Sequence, residues 1–284
     1  MAALAQLPRS TLEPYKSLHG LGLESPAGSE AEGGAITSAA RLLASVEGVV
    51  LGSDAAGAAP NLLLSAHAVH GAFAPAQIDR LVRLADAHVA IHGWMTKRHC
   101  NHPTTDFSLL DAPEVWAAAA PQVSATVLPT LHRLFFGDDE DAALEINDLF
   151  YVRYDGDREG AQTSLEAHRD GSLVSFSIAL TSPESFVGGG TRFVGADKVL
   201  RPTAPGDLVA HSGKIVHSGE PVTAGVRDIL VGFVTVSGSR INKVREGRVG
   251  GWVDGVFGYP FHCPAGLHAC SPAPTHARLF WTRF

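Results

Sequence analysis

The hydrophobic positions of this chain follow a helical period in one part and a two-residue alternation in another. Between Pro75 and His92 the apolar residues recur at the spacing of one helix face, namely Ile78, Leu81, Val82, Ala85 and Val89. This pattern predicts an amphipathic helix. Pro75 suits the first turn of that helix, and Gly93 suits its end.

Weaker patterns surround this helix. The segment from Ile36 to Leu51 predicts another helix, and the runs NLLLSAHAV and WMTKRH predict strands. After Asp111, which can cap a helix, the chain again has a helical pattern. Pro121 and Pro129 lie within that pattern, so we expect them to kink or divide the helix.

From Ala143 onward the pattern changes to short β runs separated by turn signals. In LVSFSIALT, four apolar residues alternate with Ser175, Ser177 and Ala179, which predicts a strand with one packed face and one small or polar face. Similar runs are LEINDLFYVRY, TRFV, GDLVAH and DILVGFVTV. Helices followed by antiparallel strands predict a mainly β sandwich or jelly roll with flanking helices.

We divide the chain into four segments within one globular domain. Residues 1–35 are rich in Ala, Gly, Ser and Glu and predict a flexible tail. Residues 36–142 predict a mixed, largely helical support region, and residues 143–238 predict the β core. Residues 239–284 form a C-terminal extension with a basic run, RINKVREGR.

Composition narrows the class of protein. Of 284 residues, 45% are hydrophobic and 18% are charged, which is typical of a globular protein with a sizeable core. No apolar run is long enough to span a membrane, so we expect no membrane partner. The net charge of −7 disfavours a general nucleic-acid binder. The sequence does not indicate an oligomeric state.

The cysteines and the N-terminus bear on the compartment. Three cysteines are too few, and odd in number, for a secreted disulfide scaffold. The N-terminal residues lack the charged start and apolar run of a secretory signal. We therefore expect an intracellular protein, in the cytoplasm.

The candidate chemistry centres on EAHRDGS, in which His168 and Asp170 are two residues apart. Residues at this spacing share one face of a strand and can converge on one metal ion. A third ligand could come from HSGKIVHSGE, which offers His217 or His211. Two imidazoles and one carboxylate form the facial triad of non-heme Fe(II) oxygenases.

Arg227 favours His217 over His211 as the third ligand. A co-substrate that chelates the metal at one end and carries a carboxylate at the other needs a cation nearby, and guanidinium binds carboxylate through two hydrogen bonds. We expect a turn at residues 223–225 to bring Arg227 beside His217. His211 would then line the pocket.

These motifs resemble those of the 2-oxoglutarate and Fe(II)-dependent dioxygenases, and within them the prolyl and lysyl hydroxylase branch. The similar segments include RY at Arg153 and Tyr154, SLEAHRD ending at Asp170, GGGTRF, HSGKIVH and GVR. The catalytic domains of collagen lysyl hydroxylases are the nearest in pattern. The resemblance covers residues 90–236, with TTDFSLL upstream of the core.

The resemblance implies a double-stranded β-helix, a jelly roll of the cupin type, in which His168, Asp170 and His217 bind Fe(II). Arg227 would hold the distal carboxylate of 2-oxoglutarate, and Tyr154 would donate a hydroxyl to it. Ser164 and His211 are further candidates for co-substrate binding. The cofactors implied are Fe(II), 2-oxoglutarate and O2, with ascorbate as a reductant.

The implied reaction is hydroxylation of a C–H bond with release of succinate and CO2. A protein or peptide side chain is the substrate that the resemblance favours. The alternatives are a free amino acid, a small metabolite, a nucleobase, or a β-helix binding module without turnover. Arg227 stands where collagen prolyl hydroxylases usually have Lys, which favours the lysyl branch.

Three other features remain open. Gly188–Gly190 could serve a turn with positive φ or the close approach of a ligand. The C-terminal histidines and cysteines fit no standard zinc spacing. We expect the stretches MTKRHCNHPTTD and RINKVREGR, both rich in cations and polar groups, to flank the mouth of the active site.

Overall fold

Two antiparallel β-sheets form the centre of this protein. The computed structural model describes residues 46–50, 65–99, 101–137 and 139–237. The expected N-terminal tail, RINKVREGR and the C-terminal His/Cys segment lie outside these residues. Among the described residues, no helix combines the length and the apolar character needed to cross a lipid bilayer.

Within the described part of the chain, twelve strands make up the two sheets. In chain order they are β1 (Val46–Val50), β2 (Ser65–Val69), β3 (Asp106–Ser108), β4 (Ala143–Asp155), β5 (Leu165–His168), β6 (Val174–Ala179), β7 (Phe186–Gly188), β8 (Thr191–Phe193), β9 (Lys198–Leu200), β10 (Leu208–Ser212), β11 (His217–Gly219) and β12 (Val222–Ser237). The large sheet has the order β1-β2-β10-β6-β12-β4-β3, with β7 paired to β12. The small sheet has the order β5-β11-β8-β9.

The alternation along the strands of the large sheet separates its two faces. Phe176, Ile178 and Leu230 face the helices and join the largest core cluster. Tyr154 and Ile229 face the small sheet and pack in a separate cluster. Further core contacts join Val209 of the large sheet to Phe193 and Leu200 of the small sheet. The two sheets therefore enclose an interior, and the predicted double-stranded β-helix is confirmed.

Three α-helices cover the outer face of the large sheet. They are α1 (Pro75–His92), α2 (Pro113–Gln122) and α3 (Leu128–Phe136), and short 3-10 turns occur at Leu109–Asp111, Pro183–Ser185 and Val194–Ala196. The predicted bounds of α1 are confirmed. Pro121 and Pro129 fall on either side of a widened π-helical turn, Val123–Val127, between α2 and α3. Proline has no backbone N–H to donate, and the regular hydrogen-bond pattern of the helix changes at this widened turn between the two prolines.

Three local predictions were wrong. Val46–Val50 is a strand rather than part of a helix, because it pairs with β2 along its whole length. WMTKRH forms no strand and contributes a single bridge between Met95 and Asp106. The N-cap of α2 is Ala112 rather than Asp111, and no side chain caps that helix.

The boundary between the support region and the core at residue 142 stays a prediction. Strands from both segments pair in the large sheet, since β2 pairs with β10 and β3 pairs with β4.

Candidate metal centre

Two histidines and one aspartate converge at one end of the small sheet. His168 ends β5, His217 begins β11, and the two are direct partners across the antiparallel pair. Asp170 lies just beyond β5. His168 Nε2 is 3.3 Å from one Asp170 oxygen, and His217 Nε2 is 3.6 Å from the other. The ligand atoms of all three residues lie within 4.8 Å of one another, which is compatible with one metal ion.

The backbone fixes which nitrogen of each histidine points inward. His168 Nδ1 donates to the Glu166 carbonyl at 2.7 Å, and His217 Nδ1 donates to the Ile215 carbonyl at 3.0 Å. Histidines that bind metals almost always make such a bond through the second ring nitrogen, since it fixes the tautomer. The Nε2 atoms of both residues are therefore the available ligands.

The ionisation of the group suits a cation. Burial is the main influence on His217, and it lowers the pKa to about 3, so the ring is neutral and its lone pair is free. Burial opposes the charged form of Asp170, but the three neighbouring histidines and the hydrogen bond from Ser175 hold its pKa well below the usual range. Burial also opposes the charged form of His168, but Asp170 raises its pKa.

A chain of two serines orients Asp170. Ser175 Oγ donates to Asp170 Oδ2, and Ser172 Oγ hydrogen bonds with Ser175 Oγ. Ser175 belongs to the small face of β6, which the alternation predicted. Its contact with Asp170 could not be read from the sequence, because the two residues lie on either side of a turn whose path the sequence does not specify.

His211 lies behind His217 rather than in the ligand group. The two ring centres are 4.1 Å apart, and His211 Nδ1 lies 3.1 Å from the Ser212 carbonyl. Burial lowers the pKa of His211. This neutral ring packs against His217 and limits its movement.

Arg227 and Tyr154 occupy the interior of the β-helix. They are direct partners on β12 and β4, and the guanidinium carbon of Arg227 lies 5.3 Å from the centre of the Tyr154 ring. Arg227 is 4% exposed, and burial lowers its pKa. No carboxylate of a described residue lies within ion-pair distance of this guanidinium. A buried cation without a partner is costly, so Arg227 is prepared for an anion.

The expected turn at residues 223–225 was wrong, because these residues lie within β12 (Val222–Ser237). That Arg227 lies beside His217 stays a prediction. β11 belongs to the small sheet, whereas β12 pairs with β4, β6 and β7. The two sheets nevertheless face each other. A Cβ atom added to Gly219 of β11 would lie 3.3 Å from the Tyr154 hydroxyl oxygen.

Two further residues of the motifs lie away from this interior. Ser164 is exposed just before β5, and its hydroxyl makes no hydrogen bond with a described residue. Arg153 faces the helices and binds Asp228 through two hydrogen bonds of 2.8 and 2.6 Å. Tyr151 donates to the same carboxylate. Arg153 therefore stabilises the fold on the side opposite Arg227.

The stretch MTKRHCNHPTTD reaches the metal centre. The ring of His102 lies 4.7 Å from that of His168. Arg98 anchors the stretch, since it bonds Asp106 at 3.1 Å and Asp148 at 2.7 Å and lies over the Phe150 ring. The sequence pointed to this stretch but not to His102 itself, because no periodicity specifies the path of an irregular segment.

Comparisons with known proteins agree with this geometry. No family model matches the chain. Human multifunctional procollagen lysine hydroxylase and glycosyltransferase LH3 is 36% identical over 109 residues, which are 37% of this chain and 14% of that protein. Rat procollagen-lysine,2-oxoglutarate 5-dioxygenase 1 is 34% identical over 111 residues, 38% of this chain and 15% of the rat protein.

One solved structure that is similar is the viral collagen prolyl hydroxylase of Paramecium Bursaria Chlorella virus-1. It is 16% identical, with a TM-score of 0.43, and the match covers 60% of this chain and 88% of that one. The sequence relatives confirm the resemblance to the prolyl and lysyl hydroxylase branch. Because the match spans about one seventh of the human relative's length, the activity of the whole relative does not transfer with it.

Proposed function

We propose that this chain is an Fe(II)- and 2-oxoglutarate-dependent dioxygenase that hydroxylates a C–H bond of a protein or peptide side chain. The observation that carries the proposal is the convergence of His168, Asp170 and His217, with Nε2 of both rings free to bind a metal. Two imidazoles and one carboxylate suit Fe(II) and leave coordination positions open for other ligands. The relatives named above as lysine hydroxylase and 2-oxoglutarate 5-dioxygenase support the same chemistry.

The residues of the triad would hold the metal, and each has a separate role. Asp170 supplies the only negative charge, and the Ser172–Ser175 pair keeps its carboxylate oriented. The carbonyls of Glu166 and Ile215 keep the protons of the two rings on Nδ1. Fe(II) bound there would supply, with 2-oxoglutarate and O2, oxidative decarboxylation to succinate and CO2 coupled to hydroxylation.

Arg227 and Tyr154 would bind the co-substrate from the opposite side of the interior. The Arg227 guanidinium has its hydrogen-bond donors available for the distal carboxylate, and Tyr154 adds a neutral hydroxyl whose pKa is raised, chiefly by burial. The buried apolar neighbours Val152 and Ile229 lower the local dielectric beside Arg227. A low dielectric strengthens the attraction between Arg227 and a carboxylate.

Succinate release tests the proposal. Purified protein is incubated with Fe(II), ascorbate and 2-oxoglutarate, first alone and then with separate pools of peptides, amino acids and oligonucleotides. We expect turnover to rise with a peptide pool, and mass spectrometry should find a product that has gained one oxygen atom. If 2-oxoglutarate binds but no succinate forms under any condition, the chain is a binding module instead.

A further inference from the structure

A cavity of about 300 Å³ lies at the end of the interior beyond Arg227. Its wall includes Ala179 of β6 and Ile229 of β12. It also includes Gly188 and Gly190 of the glycine loop, which we define as Gly188–Gly190. Along β6, Ala179 is four residues from Ser175, the partner of Asp170. Four residues of a strand span roughly 13 Å, so this cavity and the metal centre are at separate points along the interior.

Two arginines from different elements border the cavity. Arg227 is buried at its inner end, and Arg201 is exposed at its outer end. Among the described residues of the wall, Asp228 is the only carboxylate, and hydrogen bonds from Arg153 and Tyr151 already hold it. Outside the wall, Glu220 near Arg201 is bound by Arg192 at 2.7 Å. The charge that remains for a ligand is therefore positive.

The glycine loop holds both arginines in position. All three glycines have positive φ, with values of 92°, 67° and 107°. A Cβ atom at Gly189 would lie 2.9 Å from Arg227 Cδ, and one at Gly190 would lie 2.8 Å from Arg201 Cγ. Arg201 Nε donates to the Gly189 carbonyl at 3.1 Å. The positive φ expected of a turn is therefore confirmed, whereas the close approach of a ligand stays a prediction.

We propose that Arg201 is a second carboxylate-binding residue, and that the cavity admits dicarboxylates from solvent to Arg227 at the end of the interior away from the metal. The identity of the ligand as a dicarboxylate rests on the proposed function. A cation at the rim of a pocket mainly accelerates association, whereas a buried cation mainly slows dissociation. Arg201 at the rim therefore accelerates association, and the buried Arg227 slows dissociation.

The test uses succinate and the full-length protein without metal, so that only the arginine end can bind. Calorimetry gives the affinity, and stopped-flow measurements at several salt concentrations give the association rate. We expect Arg201→Gln to weaken binding roughly fivefold to tenfold, mainly through a slower association rate that depends less on salt. Arg227→Gln should abolish detectable binding. The matched control is Arg158→Gln, since Arg158 is also exposed and lies outside the wall of the cavity.

The outcomes separate this inference from the proposed function. Equal affinity and equal salt dependence in Arg201→Gln and wild type would overturn the role of Arg201. Absence of succinate binding to wild type would overturn the cavity as a carboxylate site, even if the iron-loaded protein turns over 2-oxoglutarate. Circular dichroism of each variant shows that the fold is retained, which is expected for Arg201 because its side chain is exposed.

Discussion

Arg227 and Tyr154 lie directly opposite each other on β12 and β4, with the guanidinium 5.3 Å from the centre of the aromatic ring. This pairing places a cation and a hydroxyl on the same interior face. Neither group has a carboxylate partner among the described residues. The pair accounts for how a buried arginine can be kept in position before an anion binds, since the ring face attracts the guanidinium.

Substitution of this pair should affect the co-substrate and not the metal. Arg227→Gln removes a charge-assisted contact, so we expect KM for 2-oxoglutarate to rise by roughly 30-fold to 100-fold. Tyr154→Phe keeps the ring and removes only a neutral hydrogen bond, so KM should rise by about threefold to tenfold. Succinate assays give KM, and elemental analysis gives the iron content. Iron loss equal to that of an Asp170 variant would contradict these roles.

Asp170→Ala should remove the metal and leave most of the fold. Removal of a residue that only hydrogen bonds to a metal ligand typically lowers metal affinity by about 10-fold to 100-fold. Asp170→Ala removes the anionic ligand itself, so we expect its loss of metal affinity to be larger. Calorimetry with Mn(II) measures the affinity, and circular dichroism measures the fold. Ser175→Ala is the informative comparison, because it removes one hydrogen bond to Asp170 and should weaken the metal only moderately. Full metal affinity in Asp170→Ala would exclude the proposed centre.

His102→Ala should change the handling of the substrate without affecting the metal or the co-substrate. The His102 ring is half-buried beside His168, so under the proposed function we expect a bound peptide to contact it. We expect KM for an active peptide to rise by roughly fivefold to tenfold, with turnover of 2-oxoglutarate in the absence of peptide unchanged. His92→Ala is the control, since His92 is an exposed histidine at the end of α1. Identical peptide kinetics in both variants would remove His102 from the substrate site.

His67 should make the protein less stable in mild acid. Burial lowers its pKa to about 4, and the Nδ1 atom has no hydrogen-bond partner. The unfolded chain takes up this proton near the ordinary pKa of about 6.5, whereas the folded protein does not until the pH nears 4. Stability is therefore lost as the pH falls through this window, by about 2 kcal/mol once solvent screening of the partly exposed ring is allowed for.

Chemical denaturation at several pH values measures the contribution of His67. His67→Gln should remove it, so the free energy of unfolding should fall less between pH 6.5 and 4 than in wild type. His132→Gln is the matched control, because His132 lies in a neighbouring helix and hydrogen bonds to the Asp139 carbonyl. An unchanged pH dependence in His67→Gln would show that other groups cause the loss.

Arg98→Met should destabilise the stretch that carries His102. The methionine can still pack on Phe150, but the fully buried Asp106 would lose its guanidinium partner. Breaking a buried ion pair on one side costs about 3–5 kcal/mol. Chemical denaturation measures this cost, with the exposed Arg83→Met on α1 as the control. If the free energy of unfolding falls no further in Arg98→Met than in the control, Thr104 and His99 satisfy Asp106 by themselves.

The sequence was informative where one element determines its own structure. The period of α1 and the alternation of β6 depend on local burial, so both could be predicted. His168 and Asp170 are close in sequence, and their proximity followed from that spacing. The strand β1 could not be predicted, because its helix-like spacing is overridden by pairing with β2. The sheet that receives β12 depends on pairings distant in sequence, and the turn expected at residues 223–225 was accordingly wrong.

Substitutions on the two faces of β6 should have different effects during evolution. Ser177 and Ala179 project toward the interior, whereas Phe176 and Ile178 belong to the main core. On this strand, Phe176 and Ile178 contribute most of the folding free energy, whereas Ser177 and Ala179 set the room available to a ligand. Substitutions at Ser177 or Ala179 can therefore reshape the chamber while the core on the other face is retained. New ligand preferences could arise on this strand by single steps, without a prior gain in stability.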